Sequence, residues 1–171
     1  TRILQRRNYI IRKSVNLSRQ AHIIAANVDH AFIVVTLAFP EVKFPFIDRL
    51  LVTCEVYGVK PVIVLNKIDI VDEFRDDFAP ALENFHRIYE GAGYSILEVS
   101  AKTGRGVDEL RRLCLEKSED GAPGISLFSG VSGVGKSSLI KAMDPSLNPK
   151  TGLISEAHLQ GRHTTTFYEM Y

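Results

Sequence analysis

The run Gly130-Val131-Ser132-Gly133-Val134-Gly135-Lys136-Ser137 has the residue types and spacing that most directly specify chemistry. It matches G-x-x-x-x-G-K-[ST], follows an apolar stretch at residues 125–128, and opens a segment with Leu139 and Ile140 at helical spacing. The glycines let successive backbone N–H groups curl around a phosphate, and a helix N-terminus behind them adds positive potential. Lys136 would set a mobile charge against the β- and γ-phosphates. Ser137 would offer its hydroxyl to a Mg²⁺ bridging the same phosphates, and Ser138 closes the binding segment. The chemistry implied is that of a nucleoside triphosphate.

A second cluster bears on the base. Asn66-Lys67-Ile68-Asp69 ends an apolar run, at the strand terminus where open α/β sheets bind ligands. A carboxylate at Asp69 can accept from both N1–H and the exocyclic amine of guanine, whereas adenine would leave it desolvated and unpaired. Asn66 can tie loops together and reach the purine's far edge, and the Lys67 stem can cover the base face. Ser100-Ala101-Lys102 follows another apolar run, and the backbone N–H of a small residue there suits guanine O6. Either tetrapeptide or tripeptide alone could be an ordinary turn. Together with the phosphate loop they point to GTP rather than ATP.

These motifs need a sheet to hold them. Residues 31–36 and 61–66 are short apolar runs rich in β-branched residues, and residues 96–100 and 125–128 are similar, as central parallel strands are. Between them, residues 46–56 carry Ile47, Leu50, Leu51 and Cys54 on one stripe, and residues 74–89 carry Phe78, Leu82, Phe85, Ile88 and Tyr89. Residues 107–115 and 135–143 give two further helices, and residues 119–124 read as a connecting loop. Strands alternating with such helices predict an α/β fold with a mainly parallel sheet.

The whole chain is 171 residues, 45% hydrophobic and 24% charged, which excludes a disordered or low-complexity protein and is about one domain's length. No apolar run approaches the roughly 18 residues of a membrane helix, so no membrane partner is expected. Cys54 and Cys114 are too few for a disulfide scaffold and too isolated for a zinc site. They read as buried thiols in a reducing, cytoplasmic setting, since the charged start has no apolar leader. Net charge is only +1, yet residues 1–26 hold Arg2, Arg6, Arg7, Arg12, Lys13 and Arg19 without one acid. Ile3, Tyr9, Ile11 and Val15 alternate among them, suggesting a strand pair or an extended connector. That cationic segment is either an arm facing phosphate or a solvated face.

The order of the motifs is unusual. Both base motifs precede the phosphate loop, which implies a circularly permuted sheet. On residues 26–29, 66–69, 100–102, 129–138 and Gly161-Arg162-His163-Thr164-Thr165-Thr166, the chain resembles the circularly permuted GTPases, and among them the bacterial small ribosomal subunit biogenesis GTPases. The resemblance implies a P-loop GTPase fold preceded by the remnant of an OB-fold β-barrel. Residues 1–24 would be the end of that OB-fold and a basic connector, and residues 25–171 the permuted GTPase domain. The chain stops at Tyr171, before the Asp-x-Pro-Gly element of switch II, so a longer protein is expected, with a C-terminal zinc-binding domain and its Zn²⁺ ligands outside this chain.

The function so implied is GTP binding and hydrolysis in late maturation of the small ribosomal subunit, stimulated by the ribosome, with that subunit and its rRNA as partners. A monomer is expected. The alternative is a GTP-gated RNA-binding switch on another ribosomal or RNA target. The resemblance gives Lys136 a role in catalysis and places Thr165, with Thr164 as neighbouring candidate, in the Mg²⁺ shell beside Ser137. It places His163 where signalling GTPases keep a water-orienting glutamine; a loop histidine without that role is the other reading. Residues 149–166 are expected to be mobile without nucleotide. His22, His30, His86 and His158 read as ordinary surface or core histidines.

Overall fold

A computed structural model describes residues 6–13, 21–118, 121–147 and 170. In chain order its elements are β1 (Tyr9–Lys13), β2 (Ala21–Ala26), β3 (His30–Val35), α1 (Phe44–Tyr57), β4 (Lys60–Leu65), α2 (Ile68–Glu73), α3 (Arg75–Gly91), β5 (Ile96–Glu98), α4 (Val107–Cys114), β6 (Ser126–Ser129) and α5 (Lys136–Met143). The four apolar runs all become strands of one parallel sheet in the order β5-β4-β3-β6. All six positions of β3 are buried, because a strand with parallel neighbours on both edges and helices around it has no solvent face.

Register explains where the motifs meet. Val35 pairs with Leu65, Leu65 with Glu98, and Ile33 with Ser129. Asn66, Ser100 and Gly130, which follow these strand ends by one or two residues, therefore emerge at the same C-terminal edge of the sheet.

The helices close the core. α1 starts with Pro45 in its first turn, where a missing N–H costs nothing, and ends at Gly58 (φ 64°), whose N–H donates back into the last turn. It buries Ile47, Leu51 and Cys54. Phe44 joins Phe85 and Tyr89 of α3 in a ring cluster with centroids 4.8–6.2 Å apart, and Tyr89 Oη donates to Asp48 Oδ1 at 3.0 Å. Truncating a ring of this kind, such as Phe85→Ala, costs about 3–5 kcal/mol. Burial pushes the thiols of Cys54 and Cys114 up to about 11, so both are neutral packing groups as expected, Cys114 being half-buried beside Met143.

One helix of this layer differs from the sequence reading. The expected helix 74–89 is α3, and a short helix not anticipated from the sequence, α2, precedes it across Phe74 (φ −114°, ψ 45°). Of the two readings of the basic N-terminal stretch, the strand pair is the one observed: β1 lies antiparallel to β2 in a separate two-stranded sheet whose second strand runs through Ala26.

That pair is tied to the parallel sheet by side chains rather than by strand pairing. Asn8 donates to Val28 O at 2.7 Å and accepts from Val28 N at 2.8 Å. Arg7 Nη2 meets Asp29 Oδ1 at 3.0 Å, while Asp29 Oδ2 accepts from Ile125 N at 2.8 Å. One arginine of the cationic segment is thus engaged by the folded body instead of facing outward for phosphate.

Candidate functional site

The phosphate loop joins β6 to α5 between Ser129 and Lys136. Its path depends on two missing side chains. A Cβ on Gly130 would lie 2.4 Å from Val34 O, and one on Gly135 (φ 94°) would lie 2.3 Å from Asn66 Nδ2. Only glycine lets the loop approach β3 and Asn66 so closely. Lys136 Nζ folds back over the loop, donating to Gly130 O at 2.8 Å and Val131 O at 3.0 Å. Burial lowers its pKa, and no carboxylate among the described residues offsets that effect. A desolvated cation held by carbonyl dipoles is what an incoming phosphate can pair with. Ser137 and Ser138 occupy the first turn of α5, Ser137 half-buried and Ser138 exposed.

The base motifs lie against this loop. Asn66 is 2% exposed, and its side chain spans two loops: Nδ2 donates to Val134 O at 2.7 Å, and Oδ1 accepts from Ala101 N at 3.3 Å. The loop-tying role read from sequence is observed. The Ala101 N–H, expected to face a purine oxygen, is directed to Asn66 by a long bond. Asp69, on the first turn of α2, accepts from Ser100 Oγ at 2.6 Å through Oδ1, while Lys102 Nζ stands 3.9 Å from Oδ2. Ser100 Oγ also accepts from Thr103 N at 3.1 Å, which shapes the turn. Lys67 has left-handed backbone (φ 63°) and donates to Phe39 O in the β3–α1 connection. Burial lowers the Lys67 pKa, and neighbouring Asp69 opposes that effect.

Asn66, Lys67, Asp69, Ser100, Ala101 and Lys102 are therefore gathered at one edge, with Gly130, Val131, Ser132, Gly133, Val134, Gly135, Lys136, Ser137 and Ser138 following from β6 beside them. His163, Thr164 and Thr165 lie outside the described residues, as do residues 149–166 as a whole. Among the described residues no group of three or more His, Cys, Asp or Glu could hold a metal ion. Among the described residues no helix is long and apolar enough to cross a membrane. A groove of about 520 Å³ between α2 and α3, lined by Val71, Asp72, Arg75, Leu82 and His86, contains none of these motif residues.

Several participants were not foreseen. Pro40 packs 3.5 Å from where a Gly133 Cβ would stand, and Phe39 supplies the carbonyl that holds Lys67. Arg105 bonds Asp72 and Glu98, and His86, read as an ordinary histidine, sits between Glu90 at 2.9 Å and Glu98 at 3.0 Å. For Asp72, Glu98 and Arg105 the sequence held a faint signal, charged residues near but not within the base motifs; for Phe39, Pro40 and His86 it held none.

A family model described as RsgA GTPase matches residues 3–171. The chain is 48% identical over 169 residues to the small ribosomal subunit biogenesis GTPase RsgA of Flavobacterium johnsoniae, and 47% identical over 169 residues to that of Bacteroides fragilis. These matches cover 99% of this chain but 49% and 51% of the relatives, so the chain spans about half their length. Among solved structures, YjeQ from Thermotoga maritima superposes with a TM-score of 0.69 at 36% identity, covering 89% of this chain and 47% of that one. YloQ, described as a circularly permuted GTPase, gives 0.56 at 23% identity over 80% of this chain and 48% of its own, a likeness of fold.

Proposed function

The chain belongs to the RsgA GTPase family, and from that premise we propose that it binds GTP with Mg²⁺ and hydrolyses it in maturation of the small ribosomal subunit. The observation that carries the nucleotide assignment is the Asn66 side chain, buried and bonded at once to the phosphate loop and to the base loop. Such a bridge makes recognition of the base and of the phosphates one event.

In this reading guanine lies against Asp69, which accepts from N1–H and the exocyclic amine, with the Lys67 stem on its face, and the Ala101 N–H exchanges its long bond to Asn66 for O6. Phosphates occupy the loop of residues 130–138, and Lys136 leaves its carbonyl partners for their oxygens. Mg²⁺, held by Ser137 and Thr165, would neutralise charge on the β- and γ-phosphates. Water attacks the γ-phosphorus in line, the bond to the β–γ bridging oxygen breaks, and GDP and inorganic phosphate leave with one proton released. Lys136 stabilises the charge gathering on that oxygen, and His163 orients the water. The β1–β2 pair is the end of an OB-fold, and rRNA of the small subunit is the macromolecular partner. The names of the relatives support that partner.

The test uses the intact protein. GDP should bind far more tightly than ADP, by on the order of 10⁴-fold for a site built around guanine's donors. GTP turnover should rise with purified small subunits and not with large ones. Equal affinity for GDP and ADP would overturn the nucleotide assignment, and indifference to both subunits would overturn the partner.

A further inference from the structure

We infer that Arg105 is a positioning residue for guanine selectivity, a cross-brace that fixes the distance between Asp69 and the Ser100–Lys102 loop; this rests on the guanine-site reading above. Its backbone and its side chain grip the site from different directions. Arg105 O accepts from Ser100 N at 2.9 Å, which closes the loop. Its guanidinium donates through Nη1 to Asp72 Oδ2 at 2.6 Å and through Nη2 to Glu98 Oε2 at 2.7 Å. Asp72 lies one helical turn beyond Asp69 on α2, and Glu98 ends β5, two residues before Ser100. One planar group therefore links the helix carrying the base-binding carboxylate to the strand carrying its partner loop.

The brace is needed because α2 is weak by itself. It has six residues, no side-chain cap at its N-terminus, and only Ile68 and Val71 buried. A single unsupported turn and a half is marginal in water. The Ser100 Oγ–Asp69 Oδ1 bond of 2.6 Å is a short lever, and a small shift of α2 moves the carboxylate off the amine it must accept from. Glu98 is itself held from its other oxygen by His86 Nε2 at 3.0 Å, so the anchor for Arg105 is fixed on both sides. Arg105 is about half exposed, and ion pairs so exposed contribute little to global stability. The effect belongs in ligand discrimination.

Inosine diphosphate isolates it, because inosine lacks the exocyclic amine and keeps N1–H and O6. In the intact wild-type protein, GDP should exceed IDP in affinity on the order of 10-fold or more, one charge-assisted hydrogen bond's worth. Arg105→Ala should lower that ratio by about 3-fold or more while the melting temperature stays near that of wild type. Asp72→Asn, which cuts the same link from the other side, should lower the ratio too and carries the test if Arg105→Ala does not fold. Arg105→Lys, able to reach one carboxylate, should recover part of the ratio. An unchanged GDP:IDP ratio in folded Arg105→Ala or Asp72→Asn, with wild type still preferring GDP to ADP, overturns the brace alone. Wild type failing to prefer GDP to ADP overturns the guanine site and the brace together.

Discussion

Asn66 uses its amide on both sides and its own backbone as well: N–H donates to Val35 O at 2.8 Å, Nδ2 to Val134 O, and Oδ1 accepts from Ala101. A buried amide so employed leaves no room for its neighbour to grow. Gly135→Ala would place a methyl 2.3 Å from Nδ2 at a backbone φ of 94°. The strained backbone and the displaced amide each cost about 1–3 kcal/mol. Denaturant unfolding should therefore show a loss of about 3 kcal/mol, accompanied by weaker nucleotide binding; wild-type stability would mean the loop passes Asn66 differently. Asp69 is tested through its chemistry instead. Asp69→Asn keeps the shape and the Ser100 contact but turns one acceptor into a donor, so GDP affinity should fall about 10–100-fold. Xanthosine diphosphate, with a carbonyl where guanine has its amine, should gain. Retained preference for GDP over XDP in that variant would remove Asp69 from the base.

At the scale of elements, the link between α3 and β5 has a pH signature. His86 bonds Glu90 on its own helix and Glu98 on β5, and Glu98 also holds Arg105. Burial works to lower the His86 pKa, but the hydrogen bonds and charges of Glu90 and Glu98 outweigh it and the net direction is upward. The folded value thus lies above the unfolded one of about 6.5. The charged pairing contributes fully below about pH 6.5 and is lost as pH rises through the higher folded value. Comparing wild type with His86→Gln between about pH 5.5 and 8.5, above the carboxylate range, the stability advantage of wild type should be greatest at the acid end and shrink toward the alkaline end. A difference constant with pH would assign His86 only packing. This pairing also marks what the sequence could reveal. The strands were legible because continuous apolar runs leave β3 no polar position to expose, and the glycines and Lys136 were legible because phosphate demands them. α2 escaped because two buried residues, Ile68 and Val71, cannot display a helical period. His86–Glu98 and Lys67–Phe39 escaped because residues 12 and 28 apart meet only after the chain has folded.

For the whole molecule, the decisive fact is that chain order and sheet order disagree. The chain builds β3, then β4, then β5 outward, and returns to place β6 on the far side of β3. The base loops consequently come from one flank of the sheet and the phosphate loop from the other, with β3 between them. Asn66 reaches from the end of β4 to Val134 after β6, and Asp29 fastens the opposite end, joining the start of β3 to Ile125 and to Arg7. A guanine nucleotide bound as proposed touches both flanks and must act as a further tie across the sheet. Its contribution follows from mass action: GDP at about 100 times its dissociation constant should stabilise the fold by about 2.7 kcal/mol. ADP at the same concentration should add almost nothing. Lys136→Ala removes the cation that the phosphates recruit, so the stabilisation at that GDP concentration should largely vanish. The unliganded variant should lose only the two bonds to Gly130 O and Val131 O. Unfolding curves for both proteins with GDP, with ADP and without nucleotide separate these terms. Equal protection by ADP, or undiminished protection of the Lys136 variant by GDP, would mean that the two flanks are not joined through the nucleotide.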